Sequence, residues 1–281
     1  MFYWFALLLL GVGAGFAGAI SGLGGGVIVI PALSLIFGMP LDMAAGASLV
    51  STIATSSGAA SAYIKDKLAD IKIGMSLEMA TTAGAILGSL IAVTLYAKDL
   101  SYVIFIIFGL VLLISAYPQL RKLKKKNYKI NKPDKSTRLL QLRGSYYDKA
   151  SGKLIRYNGV RWLYGETVML CAGIISGLLG VGSGVLKVIG MDDAMRLPIK
   201  VTTATSDFMI GVTAAASSAV YWAFGYINPD IVAPVVIGVV IGSYLGTKFM
   251  RRSQSSRIRM IFVIMLAVVG IEMVLRGMGV G

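Results

Sequence analysis

The chain has 281 residues, 56% of them hydrophobic, and a mean hydropathy of +0.78, which excludes an ordinary water-soluble domain. Its 27 Lys and Arg against 13 Asp and Glu leave a net charge of +14, yet fourteen of the basic residues crowd between Arg121 and Arg161 beside only Asp134 and Asp148. That placement reads as the basic cytoplasmic loops of a membrane protein and argues against a nucleic-acid surface. Histidine is absent and Cys171 is the single cysteine, so an internal disulfide is excluded and the commonest metal ligand is missing. Cys171 reads as a small buried side chain.

In chain order, the first apolar segment is 2–20; no charge occurs from Phe2 to Phe37 and no positive n-region precedes it, so it reads as mature structure rather than a signal peptide. Segment 27–38 is too short to cross alone, since about 12 residues cover about 18 Å of a hydrocarbon core about 30 Å thick. Segments 43–63, 73–97 and 101–119 follow. The basic linker 121–161 carries hairpin-turn chemistry from Asp148 to Gly152. Segments 164–179, 185–196, 200–223, 231–249 and 260–277 complete the chain, 185–196 again being short. Three blocks result: a first transmembrane repeat (1–120), a linker (121–161) and a second transmembrane repeat (162–281).

Displacing the sequence by 158 positions aligns the halves without a gap over most of their length. Gly22, Gly24 and Gly26 fall on Gly180, Gly182 and Gly184, Pro40 on Pro198, Ser48 on Ser206, Thr55 on Thr213, Tyr63 on Tyr221, and Gly84 and Gly88 on Gly242 and Gly246. With the linker inside the cell, alternation also places the loops at Lys65, Lys67 and Lys72, at Arg196 and Lys200, and from Lys248 to Arg259 inside, so 24 of the 27 basic residues are cytoplasmic and both termini lie outside. The expected fold is therefore an all-α membrane protein of two inverted repeats, each of about five helical segments. Short half-helices or re-entrant hairpins meet near the midplane, and a small cytosolic β-hairpin lies between the halves.

Small-anion chemistry in a bilayer needs hydrogen-bond donors close to the ligand, and two turns supply them: Gly22, Gly24, Gly25 and Gly26, then Gly180, Gly182, Ser183 and Gly184. Glycine lets backbone approach a ligand, and amides at a helix start are free to donate. Close packing by small residues is the alternative reading of the same glycines. Ser48, Thr52, Thr205 and Ser206 add hydroxyls that can replace hydration or bond within their helices. Lys187 and Asp207 are charges inside segments, readable as a pair or as an anion attractor beside a titrating carboxylate; Glu78 and Glu272 lie nearer segment ends, with Glu272 spaced to meet Arg276. No cofactor or metal is called for, and neither a catalytic constellation nor a P-loop is present, so the chain reads as a carrier and not an enzyme. An anion channel uses the same features, and a membrane scaffold with a basic linker is the third reading.

The doubled glycine turn, Pro31 after the first, Ala47, Ser48 and Leu49, the run Leu197 to Val201, Ala204, Thr205 and Ser206, and the Leu-Gly pairs at 87–88 and 245–246 together resemble the sulfite exporter TauE/SafE family of membrane transporters. The stretch from Gly144 to Tyr157 is similar to an insertion found between the halves of some members. The resemblance implies movement of sulfite or a small organosulfur anion across the cytoplasmic membrane with ion or proton coupling; another small carboxylate or oxyanion is the alternative substrate. Two departures stand out: Pro31 is matched by Ile189, and Asp207 stands where relatives carry a neutral amide.

Overall fold

The computed structural model describes residues 2–21, 24–122, 130–148, 152–182, 184–252 and 256–279. The first half holds α1 (Phe2–Ser21), α2 (Gly26–Pro31), α3 (Leu41–Lys65), α4 (Ile71–Ala97) and α5 (Ser101–Lys122). The linker holds α6 (Lys135–Leu139) and the antiparallel strands β1 (Arg143–Asp148) and β2 (Lys153–Asn158). The second half holds α7 (Trp162–Leu179), α8 (Gly184–Ile189), α9 (Ile199–Ala223), α10 (Pro229–Arg252) and α11 (Ser256–Gly277).

The 158-residue spacing carries through to the elements. Helices α3 and α9 coincide under it end for end, and α4 and α10 share a start. Pro40 and Pro198 set the entries to α3 and α9: each carbonyl accepts the N–H four residues on, from Ala44 at 3.0 Å and Thr202 at 2.9 Å. The short elements also coincide, because α2 and α8 each pass into a π-helical turn, Ala32–Ile36 and Gly190–Ala194. That turn forms after Pro31 and after Ile189 alike, so proline is not its cause. Each short arm is one residue earlier at its start and two shorter at its end than the hydropathy suggests.

Helix pairing crosses between the halves. Helix α1 packs against α10 and α7 against α4, while α3 meets α9 and α5 meets α11. Exchanging the halves turns the first pair into the second and leaves the others unchanged, which is the pattern of a two-fold relation. Small residues make the crossed seams close: a Cβ on Gly84 would strike the Leu170 carbonyl, one on Gly173 the Thr81 carbonyl, and one on Gly242 the Val12 carbonyl. These seam glycines, then, are packing devices. Large apolar side chains face outward, Met79 being 80% and Val268 61% exposed, as suits a lipid environment. Cys171 is exposed on α7, not buried, because the seam with α4 takes up the neighbouring Ala172 and Gly173. Among the described residues three helices are long and apolar enough to cross a membrane, within Ile71–Ala97, Trp162–Leu179 and Pro229–Lys248.

The linker folds onto one end of the bundle. Gly152 N–H donates to the Asp148 carbonyl at 2.8 Å and closes the hairpin, with Tyr146 opposite Ile155. Leu142, Tyr146 and Tyr157 share a core with Ile73 and Leu77 of α4, Met169 of α7, and Met191 and Met195. Polar contacts fasten the same joint: Tyr157 Oη donates to Asp70 Oδ2 at 2.8 Å, and Lys200 Nζ to Asp148 Oδ1 at 2.5 Å. Asp70 also caps α4 by accepting Ile73 N–H at 3.0 Å.

Candidate substrate site

Helix α7 ends at Gly180, whose φ of +72° and N–H bond to the Ser176 carbonyl at 2.9 Å form a left-handed cap. The chain then turns at Gly182 (φ +67°) into α8, as it turns at Gly24 (φ +78°) into α2. Gly24 and Gly182 are repeat partners, and their surroundings show that the two turns converge. A Cβ on Gly24 would lie 3.3 Å from Thr52 Cγ2 and 3.5 Å from Ile210 Cγ2; one on Gly182 would lie 2.8 Å from each of the same two atoms. Thr52 and Ile210 are themselves repeat partners, on α3 and α9. Four positions from both halves thus meet around one point, and Val181 of the second turn lies against Gly26 of the first.

The hydroxyls near this point are not equivalent. Ser48 Oγ donates to the Gly180 carbonyl at 2.7 Å and Ser206 Oγ to the Gly184 carbonyl at 3.1 Å, so both protons are spent on fixing the second turn. Thr52 Oγ1 has no hydrogen-bond partner although the residue is 0% exposed, and a Cβ on Gly26 would come within 2.5 Å of it. A buried hydroxyl without a partner costs free energy unless something else satisfies it. A Cβ on Gly25 would lie 3.0 Å from Thr55 Oγ1, which bonds back to the Ser51 carbonyl at 2.9 Å. Thr205 is drawn away from the turns: its hydroxyl accepts Asp70 N–H at 2.9 Å, at the α3–α4 connection. Gly22 and Ser183 lie outside the described residues.

The charges pair differently from the sequence expectation. Lys187, on α8, is fully buried and donates to Thr213 Oγ1 on α9; Thr213 Oγ1 lies 2.6 Å from Glu78 Oε1 on α4, and Lys187 Nζ lies 3.8 Å from Glu78 Oε2. Asp207 is not in that pair: its Oδ2 is buried without a hydrogen-bond partner, and its backbone carbonyl accepts the Ser56 hydroxyl. Arg276 Nη1 donates to the Ser34 carbonyl at 3.1 Å and its guanidinium lies over the Phe105 ring, so the i, i+4 spacing to Glu272 does not describe its contacts. Glu78 was the residue undervalued from sequence; its partner lies 109 positions away, with no local signal to reveal it.

The glycine turns of both halves thus converge on an unsatisfied hydroxyl, and a buried ammonium stands on α8, the helix that follows the second turn. The family model described as "Sulfite exporter TauE/SafE" matches residues 7–273. The chain is similar to "Probable membrane transporter protein YunE" of Bacillus subtilis (strain 168), 29% identical over 96% of this chain and 97% of that protein. It is also similar to "Probable membrane transporter protein YdhB" of the same organism, 25% identical over 86% of this chain and 87% of that protein. No solved structure matches the chain.

Proposed function

From the premise that this chain belongs to the sulfite exporter TauE/SafE family of membrane transporters, we propose that it carries sulfite or a small organosulfur anion across the cell membrane as a secondary transporter. The observation that supports this reading is the convergence of Gly24 and Gly182 on Thr52, whose hydroxyl is buried without a protein partner. Backbone N–H groups and a hydroxyl bind an oxyanion without a permanent charge at the contact, and Lys187 nearby supplies the positive potential. In this reading Ser48 and Ser206 shape the second turn, and Gly25, Gly26, Gly180 and Gly184 give the backbone its close approach.

The two halves lie inverted in the membrane, with the hairpin and the loop at 248–259 on the cytoplasmic side. The short arms then enter from opposite faces and place the anion between them, and access alternates as the arms separate from one side or the other. The test is flux into proteoliposomes with a panel of sulfite, sulfate, thiosulfate and small sulfonates. Saturable uptake of one or more sulfur anions is expected; a large, non-saturating current would replace the carrier by a channel, and no flux of any of them would overturn the substrate class.

A further inference from the structure

We propose that Glu78 couples anion binding to proton uptake: the incoming anion takes over the place of the Glu78 carboxylate beside the Lys187 ammonium, and the displaced carboxylate binds one proton. This rests on the reading of the glycine turns as an anion site.

The geometry of the pair is the first ground. An ammonium has three donors. Lys187 spends one on the Thr213 hydroxyl, while Glu78 Oε2 stands at 3.8 Å, beyond a good hydrogen bond, and has no other hydrogen-bond partner. The pair is buried but loosely made, held through one hydroxyl whose proton is shared between Glu78 Oε1 and the Met209 carbonyl at 2.9 Å. Glu78 Oε1 takes a further bond from Thr82 Oγ1 at 3.1 Å, so the carboxyl group keeps a local partner if the lysine turns elsewhere.

Position is the second ground. Thr213 lies three residues beyond Ile210 on α9, and Ile210 is where the two turns meet. That separation is about one helical turn, roughly 5 Å. The repeat agrees, because Thr55, the partner of Thr213, faces Gly25 of the first turn. An anion between the turns is within reach of the long Lys187 side chain.

The third ground is asymmetry. The repeat partners of Lys187 and Glu78 are Val29 and Val236, so the equivalent places in the other half are filled by apolar side chains. The ion pair is therefore a feature of one half and not of the repeated scaffold.

The charge balance then follows. Unliganded, Lys187 and Glu78 sum to zero. A bound monoanion would leave one negative charge uncompensated in a low-dielectric interior, and one proton on Glu78 restores neutrality with no bond made or broken except O–H. Other ionisable groups on elements packed against α4 are otherwise placed. Lys72 donates to the Gln141 side chain and Lys200 pairs with Asp148, both at the hairpin end. Glu166 on α7 and Asp207 on α9 each have one buried oxygen without a hydrogen-bond partner and are the rival proton acceptors.

The experiment is titration calorimetry of the purified full chain with sulfite, thiosulfate and methanesulfonate, each in two buffers of different ionisation enthalpy and at several pH values around neutrality. For an anion that binds, wild type should take up about one proton more than Glu78→Gln does, and its affinity should fall by about tenfold per pH unit as pH rises. With thiosulfate or methanesulfonate, which do not titrate near neutrality, Glu78→Gln should bind with an affinity flat in pH, and Glu78→Asp should restore the uptake. Comparison with Glu78→Gln cancels any proton carried by sulfite itself; should the glutamine variant not fold, the pH slope for thiosulfate and methanesulfonate, which carry no proton near neutrality, must persist in Asp207→Asn and in Glu166→Gln. Anion binding with no proton uptake overturns the inference and leaves the anion site standing. Loss of uptake in Asp207→Asn or Glu166→Gln, with Glu78→Gln unaffected, overturns it in favour of those residues. Failure of wild type to bind any of the three overturns the site reading beneath it.

Discussion

Thr52 and Ser48 sit one turn apart on α3, both buried, and differ in whether the hydroxyl proton has a protein acceptor. Thr52→Val keeps shape and removes an unsatisfied group, so the unliganded protein should be as stable as wild type or slightly more so, while anion affinity drops by about 1.5–3 kcal/mol, more than tenfold. Ser48→Ala should instead loosen the second turn, lowering the thermal midpoint by an amount that corresponds to about 1 kcal/mol. Equal effects from the two would sink the division of roles. The glycines allow a graded test. An added methyl at Gly182 meets carbon at 2.8 Å and at Gly24 at 3.3 Å, so Gly182→Ala should weaken binding more than Gly24→Ala, with lipid-facing Leu87→Val as a neutral control. Valine at either glycine adds β-branch strain at positive φ. The repeat marks Gly24 with Gly182 and Ser48 with Ser206 in the sequence, but not Thr52, whose partner is Ile210. Sequence could not divide Thr205 from Ser206, neighbours about 100° apart on α9, one turned to Asp70 and the other to Gly184.

At the scale of elements, the hairpin and α6 are fastened by single side chains that serve two elements each. Asp70 caps α4 and accepts the Tyr157 hydroxyl, so Tyr157→Phe should cost about 1–2 kcal/mol in thermal stability and increase protease sensitivity of the linker. Asp134 plays the same part for α6. Partial burial opposes its charge, but the Arg161 and Thr137 N–H groups with the Ser136 and Thr137 hydroxyls outweigh this and hold its carboxyl well below the usual range. Its contribution is full above the ordinary carboxylate range and is lost as pH falls through the depressed value. Turn chemistry from Asp148 to Gly152 made the hairpin readable in advance. The docking of the hairpin on α4, α7 and α9 was not readable, since Tyr157 and Asp70 are 87 positions apart and nothing in either neighbourhood names the other.

For the whole molecule, the proposed inversion of the halves makes a topological prediction. In a Cys171→Ala background, needed because Cys171 is exposed, cysteines placed at Ser136 and Ser253 should both resist an impermeant thiol reagent in intact cells and react after permeabilisation. Labelling of either in intact cells would refute the assignment of those loops to the cytoplasm. The 158-residue repeat made the halves legible, yet not that each half gives its first helix to the other's fourth. Periodicity finds which residues face a partner; only the folded chain says which partner.

That exchange has a consequence in time. Helix α7 meets α4 when α4 has already been synthesised, but α1 must wait for α10, about 200 residues downstream. At about 5–20 residues per second the ribosome takes roughly 10–40 s to deliver it. Throughout that interval the α1 face bearing Gly11 and Gly15, which ends against Val235 and Val239, has no native mate. Two seams alike in the finished protein are thus made under unlike conditions, and the nascent first helix is the one that depends on lipid or the insertion machinery to keep it from pairing wrongly.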